Sequence, residues 1–319
     1  MNNKWTHNDY IHYITKKTQG HNLDNISRTK AYQHFYIKHP EIKWSLLASV
    51  VSRNAGWNMT DLYLPPFRSI LGREERLRLF MTYERANWLI FSDAYPQLLI
   101  YMIAKELNQP MFNLLSHFRV SKFMINEWER FWYSRNKRRL VNALIINEQN
   151  VIQEPVIDQS YFKKNVFLSL PYLIQNYLLM NAVLVPTMSG EVYGKFIHGF
   201  TKLSNRINLG QYIAETIFGE SKRYQHILNF LLKIEHTGSR SDYEQFLNIQ
   251  PFKNPQLRKC YREIKHDDMV RPDWYQRVNV KKIWLHPPKK NKIREIGSSF
   301  YRKRRLLNKY YQIKRVFYN

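Results

Sequence analysis

Apolar residues recur at helical spacing in segment after segment of this chain, and almost nowhere alternate with the period of a half-buried strand. This periodicity predicts an all-α fold, a compact multi-helix bundle of about a dozen helices. Only 10 glycines interrupt 319 residues, so sheet-rich folds with many tight turns are disfavoured. The spacing predicts helices over 32–37, 42–54, 73–91, 96–107, 111–117, 122–133, 137–153, 161–183, 193–200, 209–218, 223–236, 241–247 and 298–317. Breaks fall at Pro65, Pro110, Pro155, Pro186 and Pro251. Residues 1–280 read as a helical core, which a seam near 186–190 would divide into two lobes. Residues 281–319 read as a basic C-terminal segment.

At 44% hydrophobic content the chain is long enough to bury a substantial core. A lone cysteine, Cys260, offers neither an intramolecular disulfide nor a metal array, so a reducing compartment is expected. The first ten residues carry Lys4, His7 and Asp9 where a secretory signal needs an apolar stretch, and a cytoplasmic location follows as the expectation. The longest uncharged stretch, 165–190, contains Asn165, Pro171, Gln175, Asn176, Asn181 and Pro186. Those amides and prolines fit a buried helix better than a transmembrane span.

Net charge is +25, which points to an anionic partner: nucleic acid, another polyanion or the surface of an acidic membrane. Thirteen lysines and arginines between Lys281 and Asn319 face one acid, Glu295, so about half of the excess lies in the last 39 residues. Candidate polyanion-binding residues are Lys289, Lys290, Lys292, Arg294, Arg302, Arg304, Arg305, Lys309 and Arg315. On a helical wheel, Phe300, Leu306, Leu307, Tyr310, Tyr311, Ile313 and Phe317 gather on one face, predicted to dock, with the arginines and lysines forming a ridge on the other.

Polar residues stand in three unexpected places. The segment Trp44–Asn54 has no charge before Arg53 and is predicted to be buried all round. Arg53 and Asn54 then fall at its C-terminus. Gly56 supplies a left-handed cap there, and Trp57 and Asp61 are left in the following loop. Glu148 projects from an apolar stripe formed by Val141, Leu144, Ile145, Val151 and Ile152, between Asn147 and Gln149. A buried carboxylate must find a cation or donor or become protonated, and Arg53 is the expected salt-bridge partner. Asp93, six residues after Asn87, caps or kinks a helix whose next segment starts at Pro96. For each, a purely structural role competes with a place in a polar pocket.

No phosphate-binding glycine loop, nucleophile elbow or zinc-helix motif occurs, so no catalytic residue is assigned. The single Glu263-Ile-Lys-His266 reads as a pair of surface residues, and neither metal nor cofactor is expected. Three strings, 25–32 (Asn-Ile-Ser-Arg-Thr-Lys-Ala-Tyr), 39–44 (His-Pro-Glu-Ile-Lys-Trp) and 51–61 (Val-Ser-Arg-Asn-Ala-Gly-Trp-Asn-Met-Thr-Asp), resemble the YppC-like proteins, an uncharacterised Firmicutes family with a domain of unknown function. The blocks 87–98 and 143–149 are similar to it as well. The resemblance covers most of the chain and implies a bacterial cytoplasmic protein, but it supplies no reaction or ligand.

Two functional readings follow. The first is a non-enzymatic helical protein binding an anionic partner, with nucleic acid ahead of the membrane surface because no segment is cleanly a span. The second is an enzyme or small-ligand binder with a polar pocket built from Arg53, Asn54, Trp57, Asp61, Asn87, Asp93, Asn147, Glu148 and Gln149. The sequence leaves the oligomeric state open.

Overall fold

The computed structural model describes residues 5–169, 181–249, 254–267, 272–286 and 292–318. The chain opens with α1 (His7–His21), α2 (Asn25–Lys38), α3 (Lys43–Asp61), α4 (Pro65–Ile70) and α5 (Arg73–Leu107). The main later helices are α6 (Lys122–Ser134), α7 (Lys137–Val151), α8 (Leu203–Phe218), α9 (Ser221–Lys233) and α10 (Gly297–Tyr318). Short helical turns connect them, and an antiparallel hairpin, β1 (Ala182–Pro186) with β2 (Val192–Phe196), is inserted before α8. The fold is therefore helical, as the periodicity predicts. No helix among the described residues is long and apolar enough to cross a membrane.

Local chemistry sets several starts. Thr6 and Asp9 form a reciprocal capping box at α1, and Asp24 and Ser27 do the same at α2, each satisfying amides the first turn cannot bond. At α5, Glu75 reaches back 2.7 Å to the amide of Gly72, and Glu74 and Glu75 place negative charge at the positive end of the helix.

Helix α3 is the centre of the molecule. Trp44, Leu46, Leu47, Val50, Trp57 and Met59 are all buried, and the helix packs against α2, α5, α7, α8 and β1. Burial of each large side chain stabilises the fold by about 1.5–3 kcal/mol. Tyr32 meets Trp44 edge-on at 5.6 Å, and Trp128 stacks between Tyr101 and Phe112. One continuous cluster of buried hydrophobics runs from Ile14 to Tyr301, drawing on residues both before and after 186–190, where the hairpin turns.

Three sequence expectations need correction. Gly56 does not end α3, which continues to Asp61. A Cβ at Gly56 would lie 2.9 Å from His236 Nε2, so the glycine admits a neighbouring segment rather than a cap. Pro96 does not separate two helices, since α5 runs through it for 35 residues. Packing of Phe91, Leu98, Leu99 and Tyr101 into one core outweighs the ~3 kcal/mol that an interior proline costs. The predicted helices over 161–183 and 193–200 are replaced in part by β1 and β2. Residues 170–180 lie outside the described residues.

Candidate functional site

The nine candidate pocket residues divide among four environments. Asn54, Asn87, Glu148 and Gln149 line one cavity of about 170 Å³ between α3, α5, α7 and α8. Its walls are mainly aliphatic and aromatic, among them Val51, Ile90, Ile152, Phe167, Val183 and Ile213. Asn54 is saturated: its Nδ2 donates to the carbonyls of Val50 and Leu184, and its Oδ1 accepts from the Leu184 amide, which ties α3 to β1. Asn87 Nδ2 donates to the Tyr83 carbonyl one turn back.

Glu148 is buried, as the wheel predicts, but no ion pair joins it to Arg53. Its Oε2 accepts from Trp44 Nε1 at 3.0 Å and its Oε1 from Gln149 Nε2 at 2.9 Å. Both donors are neutral. Burial pushes the carboxyl up to about 7, against the pull of Gln149 and Trp44 toward the ionised form. The cavity's other full charge is Arg206 on α8, and its guanidinium is consumed by protein acceptors. It donates to Gln149 Oε1 at 3.0 Å, to the carbonyls of Gln149, Phe200 and Thr201, and to the Gln153 side chain.

Arg53 points to another part of the core because α9 ends there. Its Nη2 donates to the carbonyls of Leu231 and Ile234 at 3.1 and 2.6 Å, satisfying acceptors that the last turn of a helix leaves unbonded. Its guanidinium lies 5.5 Å from the Phe230 ring, and burial lowers its pKa to about 10, with the charge of Asp242 opposing. Trp57 Nε1 donates 3.1 Å to the same Asp242, which also accepts from Thr237 and meets His236 Nδ1 at 3.1 Å. Burial lowers His236 to about 4, so the ring is neutral and Asp242 orients it.

Asp93 and Asn147 form a third, closed network. Asn147 Nδ2 and Gln97 Nε2 donate to Asp93 Oδ2 at 2.6 and 2.7 Å. Ser121 and Trp274 donate to Asn147 Oδ1, and Trp128 donates to Gln97 Oε1. Neither Asp93 nor Asn147 lines the cavity that Glu148 lines, so of the two carboxylates only Glu148 is placed for an acid–base role there.

Asp61 holds the C-terminal helix. Arg240 Nε donates to it at 2.9 and 3.0 Å and Arg304 Nη1 at 2.8 Å, with all three side chains buried. Burial alone would lower the pKa of Arg304; the Asp61 carboxylate more than compensates and raises it. Arg304 therefore leaves the predicted basic ridge and becomes an anchor. Beside it Phe300 and Tyr301 enter the core, and Tyr301 Oη donates to Glu244 at 2.9 Å.

The predicted orientation of this helix also needs correction. Its docked side is Phe300, Tyr301 and Arg304, with Leu307 and Tyr311 half-buried, whereas Leu306 (62% exposed), Tyr310 (53%), Ile313 (57%) and Val316 (78%) face outward. They share that outer surface with exposed Arg302, Arg305 and Lys309, while Arg315, also exposed, lies near the helix end on the side of Arg304 and Tyr311. Lys292 and Arg294 are exposed upstream, and Lys289 and Lys290 lie outside the described residues. Among the described residues no group of three or more His, Cys, Asp or Glu is set to hold a metal.

Several buried charges escaped the sequence reading, two of them arginines on long helices. Arg28 pairs with Glu84 inside the core at 3.0 Å, with His266 3.5 Å from the same carboxylate. His266 is thus a buried residue against Trp88, not the surface residue its motif suggested. Arg206 is the other. Both basic residues sit on apolar stripes, Arg28 with Ala31, Tyr32 and Phe35, and Arg206 with Leu209, Ile213 and Ile217, so the criterion that found Glu148 would have found them.

The family described as "Protein of unknown function (DUF2515)" matches residues 20–298. That range holds every cavity-lining residue, Asp61 and Arg240, and ends at the start of α10. The "Uncharacterized protein YppC" of Bacillus subtilis (strain 168) is 45% identical over 296 residues, spanning 92% of this chain and 92% of that protein. No solved structure matches. This chain belongs to the DUF2515 family of proteins of unknown function.

Proposed function

We propose that this chain is a non-catalytic, cytoplasmic binding protein that docks on an anionic surface through the outer face of α10. The carrying observation is the mixture on that face: four large apolar side chains, Leu306, Tyr310, Ile313 and Val316, interleaved with Arg302, Arg305 and Lys309. A nucleic-acid backbone would satisfy the cations and could stack on Tyr310, but it offers nothing to Leu306, Ile313 or Val316. The boundary of an anionic bilayer takes both, with aliphatic groups entering the acyl region and cations meeting lipid phosphates at about 1 kcal/mol each. Exposure of those aliphatic groups favours the lipid surface over nucleic acid, reversing the order that the sequence suggests.

The test is binding of the whole protein to phosphatidylcholine vesicles with and without phosphatidylglycerol, and to duplex and single-stranded DNA at matched salt. Removing residues 281–319 would also take Phe300 and Tyr301 from the core, so the variant of choice is Arg302→Gln/Arg305→Gln/Lys309→Gln. Binding to phosphatidylglycerol vesicles that weakens with salt and in this variant supports the reading. Preference for DNA returns nucleic acid to first place, and binding to neither overturns the proposal.

A further inference from the structure

We infer that the cavity beside Glu148 is a binding site for a small organic ammonium ion with an apolar body. This rests on different residues from those that carry the docking of α10. Three observations converge.

The first is size and surface. A cavity of about 170 Å³ is close to the roughly 150 Å³ that holds a benzene ring in an apolar protein interior, and its walls are mostly hydrocarbon. Asn87, Gln149 and Phe200 at its edge are only half-buried, which places one side of the cavity near solvent.

The second is unbalanced charge. Glu148 is a buried carboxylate whose two hydrogen bonds come from neutral donors, an indole and an amide. Each of its oxygens accepts once in these bonds and retains lone pairs. An ionised carboxylate in such surroundings carries a desolvation cost of several kcal/mol unless a cation pairs with it. Among the described residues the groups packed around it do not supply one: Tyr32 on α2 and Trp44 on α3 are neutral, and Arg206 on α8 is fastened to five oxygen acceptors.

The third is selectivity between ligand charges. An anion entering this cavity would meet Glu148 with no cation among the described residues left to offset it, and a neutral hydrocarbon would leave the carboxylate uncompensated. An ammonium group placed on Glu148 forms a neutral ion pair, while a ring or short chain fills the apolar remainder.

Benzylamine is the probe, with benzyl alcohol, toluene and benzoate as comparisons, measured on the whole protein by calorimetry or thermal shift. At pH 8 benzylamine should bind at least tenfold tighter than benzyl alcohol, and benzoate should not bind. Because the ion pair needs an ionised Glu148, affinity should fall about tenfold per pH unit below pH 7, while the amine itself stays protonated. Glu148→Gln should bind amine and alcohol alike. If toluene binds as well as benzylamine, if affinity is flat between pH 5 and 8, or if no probe binds, the inference is overturned. The pH series on the unsubstituted protein keeps the test decisive should Glu148→Gln fail to fold.

Discussion

Asp61→Ala removes the one carboxylate that α3 presents to both Arg240 and Arg304, and leaves two guanidiniums buried. Breaking a buried ion pair from one side costs about 3–5 kcal/mol, because the remaining charge is neither solvated nor paired. Here two cations lose the Asp61 carboxylate, but Arg240 keeps the Tyr243 hydroxyl at 3.0 Å and Asn58 Oδ1 at 2.9 Å. We therefore expect a loss of about 4 kcal/mol, a large share of the roughly 5–15 kcal/mol that stabilises a folded domain. Arg304→Met is the informative partner variant. It deletes one cation, keeps the packing of the stem and leaves Asp61 paired with Arg240, so its cost should be about 1–2 kcal/mol. Urea titration gives both values. Native-state hydrogen exchange locates the effect, which should appear first as loss of protection at residues 300–305 of α10. An Asp61→Ala cost below about 1 kcal/mol, or an Arg304→Met cost equal to it, would refute the claim that this carboxylate anchors the C-terminal helix.

Glu148 binds its proton more tightly folded than unfolded, at about 7 against an ordinary 4.5, so its contribution is full below pH 4.5 and is lost as pH rises through 7. Glu148→Gln should thus stabilise the protein at pH 8 by up to about 3 kcal/mol and have little effect at pH 4, read from urea titrations at the two values. His236 has the opposite sense: held near 4 against 6.5, its neutral ring contributes stability above pH 6.5 that disappears as pH falls toward 4. His236→Gln should flatten that acid limb by about 3 kcal/mol in the difference between Tm-derived stabilities at pH 7.5 and pH 4. Gly56→Ala, which would gain about 1 kcal/mol in a free helix, should instead cost about 1–3 kcal/mol because its Cβ meets the His236 ring. A stabilised Gly56→Ala variant would show that the ring can retreat.

The helical class and the buried centre were legible because Trp44–Asn54 carries no charge before Arg53 and periodicity repeats through the chain. Failures occurred where one residue type serves two purposes. Glycine after a polar pair reads as a helix cap, yet Gly56 is needed for the approach of His236 from a segment 180 residues away. Proline reads as a first turn, yet Pro96 is carried through α5 by packing on both sides. The run Ala182–Pro186 is five buried residues in succession, a pattern shared by a buried strand and a buried helix, and Gly190 at positive φ was the local sign of its turn. The candidate site was legible as a set of buried polar residues but not in its pairing. Arg53 serves helix-end carbonyls at 231 and 234, and Asp61 serves arginines at 240 and 304, and such distances in sequence leave no periodic trace. The same holds for α10, where apolar residues cover more than half the wheel and the side that docks is the one carrying Phe300, Tyr301 and Arg304, which reaches for Asp61.

The proposed docking of α10 is tested most directly by removing its exposed hydrocarbon while keeping its charge. Leu306→Ser/Ile313→Ser/Val316→Ser alters three side chains that are more than half exposed and make no core contact that the fold depends on. If they enter an acyl region, each contributes about 1 kcal/mol, and the triple variant should bind phosphatidylglycerol vesicles about a hundredfold more weakly at unchanged salt dependence. Undiminished vesicle binding by this variant, with folding intact by circular dichroism, would contradict the account and leave only the charges of α10 to explain any affinity.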